Sequence, residues 1–242
     1  MPADMDTTTQ TPLQADLIAM LHALRGAEQD LFAMVPTGTR EAAGTIGDWS
    51  PKDVLAHLGA WRAIEARRLA ARAGDGTASD DPAPDEPIDE SNAMLQARHR
   101  DQTWEAVAAG ADASIEALVA AIERSSTDVL CECDDGSVAG IGANGVNHAV
   151  GHLPEIADLV GGGARFDGFA REIETILRAG HIPPRDSGTI LYNIACAQAL
   201  SGELDDARRL LGAAFSRRHD LIELAKDDPD LAALGREFAA QS

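Results

Sequence analysis

His148 and His152 stand four residues apart in Asn147-His148-Ala149-Val150-Gly151-His152-Leu153-Pro154-Glu155. On an α-helix that spacing puts both imidazoles on one face, one turn apart, and Glu155 continues the face. Two imidazoles so placed can share one metal ion if a third ligand arrives from elsewhere in the chain. The candidate third ligand is His57, within Asp53-Val54-Leu55-Ala56-His57-Leu58. Three neutral imidazoles leave positions open on a divalent ion, which then acts as a Lewis acid toward water or a thiol. Imidazole suits zinc, nickel and iron alike, so ligand type alone leaves the metal open. Glu155 is the candidate catalytic residue, orienting an imidazole or serving as a base. An ordinary surface or inter-helix ion pair accounts for it equally well.

Other chemistry-bearing residues are less ordered. His22, His99, His181 and His219 lie in polar contexts without partner spacing and read as surface residues. Cys131, Cys133 and Cys196 are too few for a disulfide framework. The Cys131/Cys133 pair suits a disulfide, a metal pair or an approach to the histidines, and its spacing selects none of them. No G-x-S-x-G elbow, phosphate loop or dinucleotide fingerprint occurs, so triad hydrolysis and nucleotide chemistry have no support.

The histidines need helices to carry them. From Pro12 to Val35, Leu13, Leu17, Met20, Leu21, Leu24, Leu31, Phe32 and Val35 recur at helical spacing. Pro36 and Gly38 stop this first helix. Gly47-Asp48-Trp49-Ser50-Pro51 is a helix start, with Ser50 as cap and Pro51 at the first position. The second helix then runs to about Ala73 and turns His57 inward with Val54, Leu55, Leu58 and Trp61. An inward histidine is also a common hydrogen-bonded core residue. Residues 74–90, rich in Pro, Gly and acid, read as a mobile loop without calcium-loop spacing. A third helix, in one or two pieces, is expected from Asn92 to Arg124. Residues 125–143 are mixed, with 128–133 a candidate extended stretch. The fourth helix spans Asn144 to Leu159 and ends at Gly161-Gly162-Gly163. Pro154 within it removes a backbone hydrogen bond and favours a kink.

The expected fold is therefore all-α: a four-helix bundle over residues 12–162, a connecting segment over 163–182 with a short helix near 167–178, and a further helical module over 183–242. In that module, Leu191 to Ala207 and on to Ala214 suit a helical hairpin that resembles one tetratricopeptide repeat. One repeat cannot bury a solenoid core, so it is expected to pack on the bundle or on a second copy.

Composition narrows the partners. The chain has 242 residues, with 40 Asp and Glu against 20 Lys and Arg, a formal net charge of −20. Such a balance disfavours phosphate backbones and anionic membrane surfaces, so neither nucleic acid nor membrane is an expected partner. No secretory leader or apolar run of spanning length is evident, which makes the cytoplasm the default location.

Two segments together carry a family pattern. Asp48-Trp49-Ser50-Pro51-Lys52-Asp53-Val54-Leu55-Ala56-His57-Leu58-Gly59-Ala60-Trp61 resembles the second-helix signature of the DinB-like superfamily, which includes the YfiT-like proteins. Asn147-His148 through His152-Leu153-Pro154-Glu155-Ile156 resembles its fourth-helix signature. The resemblance covers about residues 12–160 and implies a four-helix bundle, usually a homodimer, with a divalent ion on His57, His148 and His152. It further implies a small-molecule substrate and, in the thiol-dependent transferases of the family, mycothiol or bacillithiol as co-substrate. The acidic 74–90 insertion and the C-terminal module depart from the family pattern. Two functions follow as expectations. One is a hydrolase or low-molecular-weight-thiol transferase using zinc or nickel. The other is a non-enzymatic interaction protein that binds a protein partner, or itself, through residues 183–242.

Overall fold

The computed structural model describes residues 10–235 except 41, 43, 46, 47, 76–80, 83–85, 132–136 and 139. Among the described residues every regular element is a helix, and Thr45 and Asp48 form an isolated antiparallel bridge. Helix α1 (Pro12–Ala33) begins with a reciprocal cap: the Thr11 hydroxyl accepts from the Gln14 backbone, and the Gln14 side chain accepts from the Thr11 N–H at 2.8 Å. After the single turn α2 (Thr37–Arg40), α3 (Pro51–Arg72) opens on the same device built from Ser50 and Asp53. The expected third helix is in two pieces, α4 (Ile88–His99) and α5 (Trp104–Arg124). It begins earlier than its apolar pattern indicates, because Asp89 and Glu90 are favourable in a first turn.

The extended reading of residues 128–133 is corrected over its described part. Ser126 caps one helical turn, α6 (Thr127–Leu130), and Leu130 is buried at its end. Cys133 lies outside the described residues. The fourth helix also differs from expectation. It starts as a π-helical segment, Ile141–Asn147, and continues as α7 (His148–Val160). Gly161, at φ 66°, closes it in the left-handed conformation that favours glycine. Then follow α8 (Gly163–Leu177), α9 (Pro184–Leu200), α10 (Leu204–Arg217), α11 (Leu221–Ala225) and a 3-10 turn at Pro229–Leu234.

Helix α3 lies along α5, α1 packs against α5, α7 and α8, and α7 touches both α1 and α3. The α3–α5 crossing is close at Gly59, where a Cβ would stand 2.9 Å from the Cα of Ala111. Ile190, Leu191, Ile194 and Ala195 of α9 join the same apolar core as Leu17, Leu24 and Leu118. Trp61, Ile64 and Leu95 form a smaller cluster beneath α4. Among the described residues no helix is long and apolar enough to cross a membrane.

One polar link crosses this core. Arg62 of α3 is fully buried and grips both carboxylate oxygens of Glu28 in α1, at 2.6 and 2.9 Å. Its Nε donates to the Ser114 hydroxyl of α5 at 3.1 Å. Removing one partner of such a pair strands the other charge in the core. Arg62→Leu is expected to lower the unfolding free energy by about 3–5 kcal/mol in urea melts. The Glu28→Leu/Arg62→Leu double variant is expected to recover most of that loss.

Candidate metal centre

His57 reaches the site because the start of α3 is firmly tied down. The Asp53 carboxylate accepts from the Ser50 N–H at 3.0 Å, the Ser50 hydroxyl at 2.5 Å and the Gly44 N–H at 2.9 Å. A Cβ at Gly44 would overlap that carboxylate and the Ser50 nitrogen, so only glycine allows the loop to close. The closed loop sets the Trp49 ring edge-on to the His57 ring, with centroids 4.2 Å apart. Trp61, on the next turn of α3, donates its indole N–H to Asn92 Oδ1 at 3.1 Å and so fastens α4 beside the site.

His148 and His152 arrive from α7. The His148 N–H bonds the Ala143 carbonyl five residues back, so the wide turn runs into the first residue of α7. Helix α9 bonds this turn and the chain ahead of it: Asn193 donates to the Asn147 side-chain oxygen at 2.8 Å, and Asp186 accepts from the Val138 N–H, three residues before the turn, at 2.9 Å. His57 Nε2 lies 2.8 Å from His148 Nε2, and the His57 and His152 ring centroids are 5.4 Å apart. One ring nitrogen from each of the three lies within 4.8 Å of the others. His57 is buried, and His148 and His152 are half-buried.

Burial decides the protonation of this cluster. It pushes the His57 imidazole down to about 2, helped by His148 and His152. It pushes His148 down to about 4, helped by His152 and by the Arg62 charge. His152 is also lowered by burial, against which the Glu155 carboxylate acts in the raising direction. The rings are therefore neutral near pH 7 and offer lone pairs, the form that metal ions bind. The Nδ1 atoms of His57 and His148 are buried without a hydrogen-bond partner among the described residues. Their rings are thus oriented by aromatic packing and not by the carboxylate or carbonyl that commonly backs a ligating histidine. The donor set fits a divalent ion of borderline softness, and the triad could hold one.

The cluster lines a cavity of about 380 Å³, together with Trp49, Val54, Asp89, Asn92 and Glu155. Glu155 is exposed and lines the same space as the pair it follows in sequence. Trp49, Asp89 and Asn92 escaped the sequence reading as site residues. Trp49 was visible only as part of a helix start, and Asp89 and Asn92 bear no spacing to any histidine. Cys131 is half-buried and is not grouped with the triad; burial, with Asp186 and Asp128 adding, pushes its thiol up. A second cluster, Cys196, Asp228 and Asp230, is accounted for by folding. Asp228 accepts from the Tyr192 hydroxyl at 2.6 Å and from the Asp230 N–H at 3.0 Å, capping the 3-10 turn. Burial keeps the Cys196 thiol protonated. His22, His181 and His219 are exposed as expected, while His99 is half-buried.

Compared with models of known families, with curated proteins and with solved structures, the chain matches none.

The neutral triad makes stability pH-dependent in protein stripped of metal. Each imidazole holds a proton more weakly folded than unfolded, so acid favours the unfolded chain. Stability is full above about pH 7.5 and is expected to fall as pH drops toward 4, by on the order of 5 kcal/mol. Urea melts across that window should show the fall, and His57→Gln/His148→Gln should flatten it.

Proposed function

We propose that the chain is a divalent-metal-dependent enzyme of the DinB-like type, a hydrolase or a low-molecular-weight-thiol transferase. The observation that carries this reading is the convergence of three neutral imidazoles, from helices far apart in sequence, on one wall of an open cavity. The Nε2 atoms of His57 and His148 lie 2.8 Å apart, and with His152 the three rings offer nitrogens within the reach of a single ion. On this reading α1, α3, α5 and α7, with α4 as an appendage, form the four-helix bundle, and α9–α10 is the repeat-like hairpin that buttresses α7.

His57, His148 and His152 would hold zinc or nickel, which supplies Lewis acidity toward water or a thiol. The protein does the rest. Trp49 walls the cavity against solvent, and Asn92 and Trp61 keep α4 over one side of it. Glu155 lies beside the cluster with its carboxylate in solvent contact, where it can take a proton from a bound nucleophile or steady the His152 ring. A cytoplasmic homodimer completes the proposal; it is supported by the family resemblance alone.

Metal analysis tests the reading. Protein purified without chelator is expected to carry close to one zinc or nickel per chain. His57→Ala and His148→Ala are each expected to lose it while circular dichroism stays helical. Protein that neither carries nor takes up zinc or nickel would overturn the enzyme reading and leave the interaction module, residues 183–242, as the functional part.

A further inference from the structure

The charge of the cavity wall points beyond the metal ligands. Besides the histidines, its ionisable lining residues are Asp89, from the first turn of α4, and Glu155, from α7. Both are exposed, and neither has a hydrogen-bond or ion-pair partner among the described residues. No Lys or Arg lines this space among the described residues. Trp49 adds an indole, the aromatic ring that attracts cations best, stacked with the His152 ring at 6.0 Å between centroids. His57, six per cent exposed, lines the same cavity, and its buried Nδ1 has no hydrogen-bond partner among the described residues. The surrounding protein has a formal net charge of −20, so its long-range field draws cations in and turns anions away.

We infer that this cavity binds a small molecule with an electron-rich head, which approaches the histidine cluster, and a positively charged amine end, held between Asp89, Glu155 and Trp49. The inference rests on the metal-centre reading and narrows its substrate class. It also sets aside, for this chain, a thiol co-substrate that carries carboxylates, because the wall offers that molecule no cation. Asp89 and Glu155 act here as specificity-determining residues. Their plainer roles, a favourable first-turn charge on α4 and an ordinary solvated glutamate, would leave ligand preference unchanged when they are neutralised.

The test uses full-length protein loaded with cobalt(II), whose visible absorption reports a ligand entering the metal site. Three rigid probes are titrated: benzohydroxamate, its 4-aminomethyl derivative and its 4-carboxy derivative. The para groups cannot fold back onto the metal, so the probes differ only in the charge presented to the wall. In about 20 mM salt the aminomethyl probe is expected to bind roughly tenfold more tightly than the carboxy probe, and the gap should shrink in about 0.5 M salt. Asp89→Asn and Glu155→Gln should each narrow the gap, and the double variant should close it. In Asp89→Asn, which lies outside the metal ligands and the candidate base, affinity for plain benzohydroxamate and the cobalt spectrum should hold. Equal binding of the two charged probes, a preference for the carboxylate, or a preference that survives in the double variant would overturn the inference while leaving the metal centre intact. Failure of cobalt to bind at all would overturn the metal reading and this inference with it.

Discussion

A guanidinium with no access to water must keep its carboxylate, and much of the structure follows from that demand. Arg62 holds Glu28 and Ser114, so α1, α3 and α5 meet at one fixed height. His57 lies on the same helix, little more than one turn before Arg62. The height at which α3 is pinned is therefore also the height at which its imidazole enters the site. The pair brings no net charge into the core, yet its guanidinium is near enough to His148 to disfavour a proton there. One interaction thus serves alignment and adds to the burial that keeps His148 neutral.

Much of the first half of this arrangement was legible in the chain. Asp48-Trp49-Ser50-Pro51 marks a helix start because a hydroxyl cap and a proline at the first position are local chemistry, readable without knowing any tertiary neighbour. The apolar period then places His57 inward. The four-residue spacing of His148 and His152 puts both on one face, and both line the cavity with His57. What stayed hidden depends on partners far away in sequence. Arg62 reads as an exposed cation until Glu28 is found opposite it. Asp89 belongs, by composition, to an acidic loop, and only the packing of α4 brings it to the site. The short apolar run at 129–130 fits a strand as well as a buried turn, and burial of Leu130 decides for the turn.

The C-terminal hairpin has a part in the site that its repeat-like sequence does not suggest. Asp186 and Asn193 reach from α9 to the backbone and side chains just ahead of His148. The Asn193 bond falls on the stretch whose own helical pairing is loosened, where an i→i+5 bond replaces the tighter α pattern, and the Asp186 bond falls just before that stretch begins. Helix α9 thereby supplies from outside the order that the local sequence, with its glycines, does not supply from within.

The π-helical segment has a consequence for how such a site tolerates change in chain length. A wide turn accommodates one more residue than an α-turn over the same rise. A deletion of one codon within 141–147 would let the segment relax to ordinary α geometry with every helix still present. Each residue of an α-helix advances its successors by about 100°. In a plain α-helix the loss of one residue would therefore swing the two imidazoles of α7 off the cavity wall together; here the wide turn has already absorbed the extra residue, and its relaxation would leave both histidines in nearly the same place.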